Sequence, residues 1–348
     1  MTHTLLVTGA AGYLASWIVH DLLGQGHTVH GTVRSLRDAA KLEHLHKLAA
    51  RYPGRLQLFE ADLVQPGSFD AAVDGCSQVI HVASPYFIKK PQDIGRELVE
   101  PAVQGTLNVL GAVERAPSVK RVVLTSSVAA LYDDACELST AAGHLVRETD
   151  VNPNTDPGHN SYAYSKTAAE QAAWARQRGQ SRWDLVTMHP GAIFGPSLSA
   201  RVDATSVDMA VQFLNGSFRA GVPRLTLGVV DVRDVARAHA RAALKPEAHA
   251  RYIVVGQSLR LLEMARLMRV EAAGLKNRLP RRETPKWLMW LVGPLVGLER
   301  GYVARNVGFD IAFDNSRSKA DLDLDYRAPE RTLNDQIAQL VADGLVAA

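Results

Sequence analysis

Short apolar runs alternate with helix-length amphipathic stretches through the first two-thirds of the chain. The run HTLLVTG, His3 to Gly9, is brief, apolar and closed by glycine, and Ser16 to Leu23 then carries apolar residues at helical spacing. His27 to Val33 predicts the next strand. Leu56 to Leu63, Gln78 to Ser84, Arg121 to Ser127 and Asp184 to Gly191 continue the series. Between them lie helix-length segments such as Ile94 to Glu114 and Tyr164 to Arg178. This alternation predicts an α/β fold, a doubly wound parallel sheet with helices on both faces. Sheets of that kind bind ligands at the carboxyl ends of their strands.

After Gly191 the pattern loosens. Residues 192–229 set Gly, Pro and Ser between short apolar runs. Asp231 to Leu244 then reads as a helix with an acidic start, and Arg251 to Gly256 as one more strand. Residues 1–191 and 230–258 are therefore expected to form the larger domain. Residues 192–229 and 259–330 are expected to form a smaller, discontinuous one, with a C-terminal helix over 331–348. One apolar stretch stands apart, WLMWLVGPLVGL from Trp287 to Leu298. A spanning helix needs roughly 20 apolar residues, and this run is shorter and contains Gly293 and Pro294. It predicts a buried helix or a dimer contact. The neighbouring Lys286 and Arg300 keep open the wall of an apolar substrate pocket or a membrane-surface contact.

Composition narrows the function. The chain has 348 residues, 47% hydrophobic and 22% charged, with a net charge of +3. That is ordinary globular composition, too near charge balance to predict a nucleic-acid partner. Two cysteines, Cys76 and Cys136, form no C-x-x-C pair, so a reducing, cytoplasmic setting is expected. The apolar N-terminus lacks a basic region and a small-residue cleavage site and reads as a first strand. Twelve histidines show no metal spacing, and no metal is expected. His44 and His46 are expected in solvent, His81 and His189 in structural positions, and Asp133 and Asp134 as solvated loop charges.

The loop VTGAAGYLASW, Val7 to Trp17, has the spacing G-x-x-G-x-x-A over Gly9, Gly12 and Ala15. It follows a strand and opens a helix, the context in which glycines let a pyrophosphate reach the helix start. Dinucleotide folds that prefer NAD place an acid about 20 residues further on. Here the second strand runs into GTVRSLRDAAK, with Arg34 at its end, Arg37 and Lys41 after it, and no acid before Asp38. A guanidinium suits a 2′-phosphate. The reading is NADP(H) on a Rossmann-type sheet, with Arg34 as the main phosphate ligand. Asp62, at the next strand end, is placed to accept from the adenine amino group.

SYAYSK sets Tyr162 and Lys166 one helical turn apart, on one face. Free tyrosine titrates near ~10, too high for easy proton exchange at neutral pH, and a nearby ammonium favours the phenolate. Ser127 closes the RVVLTSS strand, placed to bond a substrate carbonyl. Tyr164 is no competitor, since its i+4 residue is Ala168.

Together these motifs resemble the extended short-chain dehydrogenases/reductases. Within them the chain is similar to the dihydroflavonol reductase, cinnamoyl-CoA reductase and methylglyoxal (carbonyl) reductase branch. VTGAAGYLASWIV, GTVRS, HVASP, VVLTSS, SYAYSK, HPGAIFGP and VVDVRDVARAH carry the resemblance, which covers nearly the whole chain. It implies that Gly9, Ala11, Gly12, Tyr13 and Leu14 line the pyrophosphate, that Leu63 joins Asp62 at adenine, and that Val82, Ala83 and Ser84 run under the cofactor. It places Pro190, Gly191 and Ile193 by the nicotinamide. It makes Ser127, Tyr162 and Lys166 catalytic and implies a substrate site of Pro85, Tyr86, Val128 and Phe194 with Ser127 and Tyr162. Asp38 stands where the family carries lysine, which leaves Arg37 or Lys41 as the second phosphate ligand. The activity implied is reversible NADPH-dependent reduction of a small, apolar or aromatic carbonyl, by a possible homodimer. A 3β-hydroxysteroid-type dehydrogenase, a nucleotide-sugar epimerase or dehydratase, and a non-catalytic cofactor sensor are the alternatives. Val128, Ala129 and Ala130 after Ser127 supply none of the acid-base pair a dehydratase needs.

Overall fold

The computed structural model describes residues 2–84, 93–138, 145–154, 156–200, 204–268, 273–275 and 277–346. Its centre is a seven-stranded sheet in which every pairing is parallel. The strands are β1 (Thr4–Val7), β2 (Thr28–Val33), β3 (Leu56–Glu60), β4 (Gln78–His81), β5 (Arg121–Thr125), β6 (Asp184–Pro190) and β7 (Ala250–Val254). Their spatial order is β7-β6-β5-β4-β1-β2-β3. The winding reverses between β1 and β4, and the ligand crevice of such a sheet opens at that switch.

The strand sequences are apolar at consecutive positions because both faces are covered. Leu5, Val7, Ile80 and Val123 enter one core, while Leu6, Val79 and Val122 enter the other. Helices α1 (Tyr13–Gly24), α2 (Ala39–Arg51) and α5 (Val232–Leu244) cover the first face. Helices α3 (Glu100–Arg115) and α4 (Ser161–Arg178) cover the second. The helix expected from Ile94 to Glu114 comes in two parts, a π-wound turn at Gly95–Val99 running into α3. Asp231 caps α5 by accepting from the Arg233 backbone N–H at 2.8 Å.

A second core stands beside the sheet. Phe194, Phe213, Leu214, Met264, Leu333 and Leu340 pack together in it. It gathers the helices Thr205–Asn215, Leu261–Met268 and Pro329–Ala342, so the C-terminal helix is part of this lobe. The lobe's strand Thr226–Asp231 lies between Ala192–Phe194 and Gln257–Arg260. Asp310 ties the lobe's edge together, accepting from Arg224 at 2.7 Å, Arg260 at 2.7 Å and Thr226 at 3.0 Å.

Three expectations are corrected here. The Trp287–Leu298 run is not a buried helix. It forms a short helix, Lys286–Val292, and a 3₁₀ turn, Gly293–Val296. Met289 is the one buried residue of that helix, against Val303 and Val307, while Trp287, Trp290, Leu291 and Leu295 are 69%, 45%, 55% and 86% exposed. A seven-residue helix presents a single inward stripe, and Pro294 with its flanking glycine ends the regular winding. His44 is buried on the inner side of α2, whereas His46 is exposed. Asp133 and Asp134 are also buried. Among the described residues no helix is long and apolar enough to cross a membrane.

Candidate active site

The loop between β1 and α1 is shaped by contacts only glycine tolerates. Gly9 has φ +67°, and a Cβ there would lie 3.1 Å from the Ala83 Cβ. Its N–H donates to Thr32 Oγ1 at 3.2 Å, and the Gly12 N–H turns back to the Gly9 carbonyl at 2.8 Å. Helix α1 starts at Tyr13 with no side-chain cap and no acid in its first turn. Its first N–H groups therefore lack an anionic partner at the positive end of the helix dipole. Leu14 and Ala15 are buried against the sheet. The Tyr13 hydroxyl donates to the Gly195 carbonyl at 2.7 Å, and Trp17 Nε1 donates to the Pro196 carbonyl at 2.8 Å. Both side chains tie α1 to the second lobe, so Tyr13 keeps only its backbone N–H for a phosphate. Burial first, and then the Asp231 charge, push the Tyr13 phenol well above its usual range.

Arg34, just past β2, is exposed, and its guanidinium has no partner among the described residues. Lys41 is held by Asp38 at 2.6 Å, and Asp38 also caps α2 through the Lys41 N–H. The Asp62 carboxylate accepts from the Val64 N–H at 3.1 Å, while its backbone is clasped by Ser68. Leu63 fills the space left by Gly105 on α3, where a Cβ would sit 3.0 Å away.

Ser127 follows β5 and caps the turn Val128–Ala130, its Oγ accepting from the Ala129 N–H at 3.2 Å. That leaves the serine O–H free to donate. Helix α4 packs against this turn and carries Tyr162 in its first turn. Lys166 Nζ lies 5.9 Å from the Tyr162 ring centre and donates to Ser84 Oγ at 3.2 Å. The structure thus brings Ser84, Lys166 and Tyr162 to the carboxyl end of the sheet, beside Ser127. Gly191 is pressed against the second lobe, since a Cβ there would collide with the Gly228 carbonyl oxygen. Pro190 is buried, and Gly191 and Ile193 are half-buried. Val128 sits in a cluster with Leu131, Ile253 and Ile311, and Phe194 is wholly inside the second core. Both side chains are buried. Pro85 and Tyr86 lie outside the described residues.

Sequence patterns did not single out several groups at this site. Thr8 Oγ1 accepts from the Val82 and Ala83 N–H groups at 3.1 and 3.0 Å, so its own proton goes to His81 Nδ1, 2.8 Å away. This fixes His81 as a neutral ring protonated on Nε2. Burial, aided by the Lys166 charge, pushes it down to about 3. Glu170, one turn beyond Lys166, is 4% exposed and surrounded by donors. The signal for it was its place in the stripe Tyr162, Lys166, Glu170 at i, i+4 spacing.

A further cluster joins Asp133, Asp134 and His159, whose candidate ligand atoms lie within 4.8 Å of one another. Arg305 donates to His159 Nδ1 at 2.7 Å, so the neutral ring presents its Nε2–H to Asp134 at 2.8 Å and Asp133 at 3.2 Å. Arg305 and Asn306 complete the shell on Asp134 at 2.8 and 2.6 Å. These partners take up the polar atoms and lock the start of α4 to the helix Arg300–Asn306.

The profile of the NAD dependent epimerase/dehydratase family matches residues 5–256. The chain belongs to that family. Within the family it lies among reductases of the extended short-chain type. It is 39% identical over 270 residues to cinnamoyl-CoA reductase CAD2 of Medicago truncatula, covering 77% of this chain and 80% of the relative. It is 35% identical to tetraketide alpha-pyrone reductase 1 of Arabidopsis thaliana, covering 97% and 95%. Among solved structures it is similar to the yeast methylglyoxal/isovaleraldehyde reductase Gre2 complexed with NADPH. That likeness has a TM-score of 0.81 and 29% identity, and covers 99% of this chain and 100% of the other.

Proposed function

We propose that this protein is an NADPH-dependent reductase of ketones and aldehydes, running reversibly as an alcohol dehydrogenase. One observation carries the reading. Lys166 is suspended between the Tyr162 ring and Ser84, on the helix that packs against the turn capped by Ser127. The residues suit NADPH. The glycine cradle closed to any Cβ at Gly9 and the free first-turn N–H groups fit a pyrophosphate. Arg34, without a partner among the described residues, fits a 2′-phosphate, with Arg37 or Lys41 beside it. Asp62 and Leu63 would take adenine, Val82 to Ser84 would underlie the cofactor, and Pro190, Gly191 and Ile193 would face the nicotinamide.

When bound, NADPH supplies the hydride that reduces the carbonyl carbon. Ser127 donates to the carbonyl oxygen and orients it. Tyr162 gives its phenolic proton to the same oxygen. The Lys166 ammonium, one turn away, steadies the phenolate left behind. In this reading residues 1–191 and 230–258 bind the cofactor, and the lobe of 192–229 and 259–330 shapes the substrate site. The substrate is a small carbonyl with apolar or aromatic flanks, and the protein works in the cytoplasm as a homodimer. Relatives whose names are reductases, and the apolar Val128, Ala129 and Ala130 after Ser127, favour reduction over epimerisation or dehydration. The test is absorbance loss at the NADPH band with a panel of aromatic and aliphatic ketones and aldehydes. Turnover with NADPH exceeding that with NADH is expected. Tightly retained NAD with no carbonyl turned over would contradict it.

A further inference from the structure

We infer that Glu170 is a positioning residue for the reduction: it anchors Ser126, and thereby the direction of Ser127, to the helix that carries Tyr162 and Lys166. The inference rests on the reductase reading above.

The Glu170 carboxylate accepts from five donors on four elements. Its Oε2 takes Ser126 Oγ at 2.5 Å, just past β5, and His189 Nε2 at 2.8 Å on β6. Its Oε1 takes Arg251 Nε at 2.8 Å on β7, Thr187 Oγ1 at 3.3 Å on β6, and Trp174 Nε1 at 3.3 Å on its own helix. Arg251 is itself fixed to the Glu148 and Asp150 carbonyls at 2.8 and 2.6 Å. Burial opposes the charge, but His189, Arg251 and Ser126 together hold the carboxyl well below the usual carboxylate range. Packing alone does not require this arrangement, because an apolar side chain of similar volume fills a core at no desolvation cost. The five donors satisfy both Glu170 oxygens, although His189 Nδ1 is buried with no partner among the described residues, and a buried carboxylate met from so many sides specifies one geometry.

What that geometry specifies follows from the backbone at Ser127. The residue is extended, with φ −158° and ψ 155°. Successive side chains of an extended chain point to opposite sides. Ser126, held inward by Glu170, therefore turns Ser127 outward to the reaction side. Glu170 sits one turn from Lys166 and two from Tyr162, so the same anchor sets the distance from serine to both. Ser126, Glu170, Lys166, Ser84 and His81 line a common small cavity. The anchor is thus contiguous with the groups it positions.

The test uses Glu170→Gln, Ser126→Ala and the double variant of the full-length protein. It measures kcat per NADPH-binding site, KM for the carbonyl, NADPH affinity by fluorescence, and thermal stability. A displaced reacting group costs far more in turnover than in binding. Glu170→Gln is therefore expected to cut kcat about 10- to 100-fold, with KM and NADPH affinity within about threefold. Ser126→Ala, which removes one donor and leaves His189 on the same Glu170 oxygen, should cut kcat by about threefold or more, and the double variant should fall no lower than Glu170→Gln. Wild-type kcat in Ser126→Ala overturns the inference, even if Glu170→Gln fails to fold. So do effects that multiply in the double variant, or a loss of stability with kcat per site retained. A wild-type protein that reduces no carbonyl overturns the reductase reading itself, and this inference with it.

Discussion

Arg34→Gln isolates the cofactor claim. The Arg34 side chain is exposed and has no partner among the described residues, so its removal leaves the unliganded fold nearly unchanged, within about 0.5 kcal/mol. Its whole contribution then appears on binding. A hydrogen bond to a charged group contributes about 1.5–3 kcal/mol. A forked guanidinium–phosphate contact makes two, but exposure and salt pull each toward the ~1 kcal/mol of surface ion pairs. The pair together is then worth about 1.5–3 kcal/mol, or ~10- to 150-fold in Kd. Lys41 is poorly placed to compensate, because Asp38 holds it at 2.6 Å. Fluorescence titration with NADPH and NADH, at low and at physiological salt, reads the effect. NADPH should weaken by about that factor and more at low salt, while NADH, lacking the 2′-phosphate, should change less than about twofold. Unchanged NADPH affinity, or equal weakening of both cofactors, refutes the assignment.

Two further outcomes follow from the geometry. Gly9→Ala puts a Cβ 3.1 Å from Ala83 in a left-handed backbone at φ +67°. A cost of about 1–2 kcal/mol is expected, read as a Tm lower by about 1–3 °C together with weaker NADPH binding; wild-type values of both would contradict the loop's role. Hydrogen bonding from Arg260, assisted by Arg224 and Thr226, holds the Asp310 carboxyl below its usual range. A depressed carboxyl stabilises the fold above its unfolded value near ~4, and that stability is lost as pH falls through the folded value. The wild-type Tm should therefore drop on acidification by a part that Asp310→Asn lacks, and parallel Tm–pH curves for the two would count against the clamp.

The main sheet was legible because its strands are locally apolar. Each of the seven runs read from the pattern is a strand of the sheet. The Tyr162, Lys166 stripe was legible because helical period is also local. What escaped depends on residues far apart in the chain. Asp133 and Asp134 read as solvated until His159 and Arg305 are seen to meet them. Glu170 needs Ser126, His189 and Arg251 to become more than a helix acid. Trp287 to Leu298 misled for the opposite reason. Its apolar count is high, but a short helix buries one stripe, and Met289 alone occupies it.

Tyr162→Phe tests the central claim most directly. Tyr162 is 53% exposed at the first turn of α4, so losing its hydroxyl leaves the fold and the cofactor cradle intact. The account predicts wild-type NADPH affinity and Tm, with carbonyl reduction falling by about 100-fold or more once the proton donor is gone. A Tyr162→Phe protein that reduces the same carbonyls at the wild-type rate would contradict it.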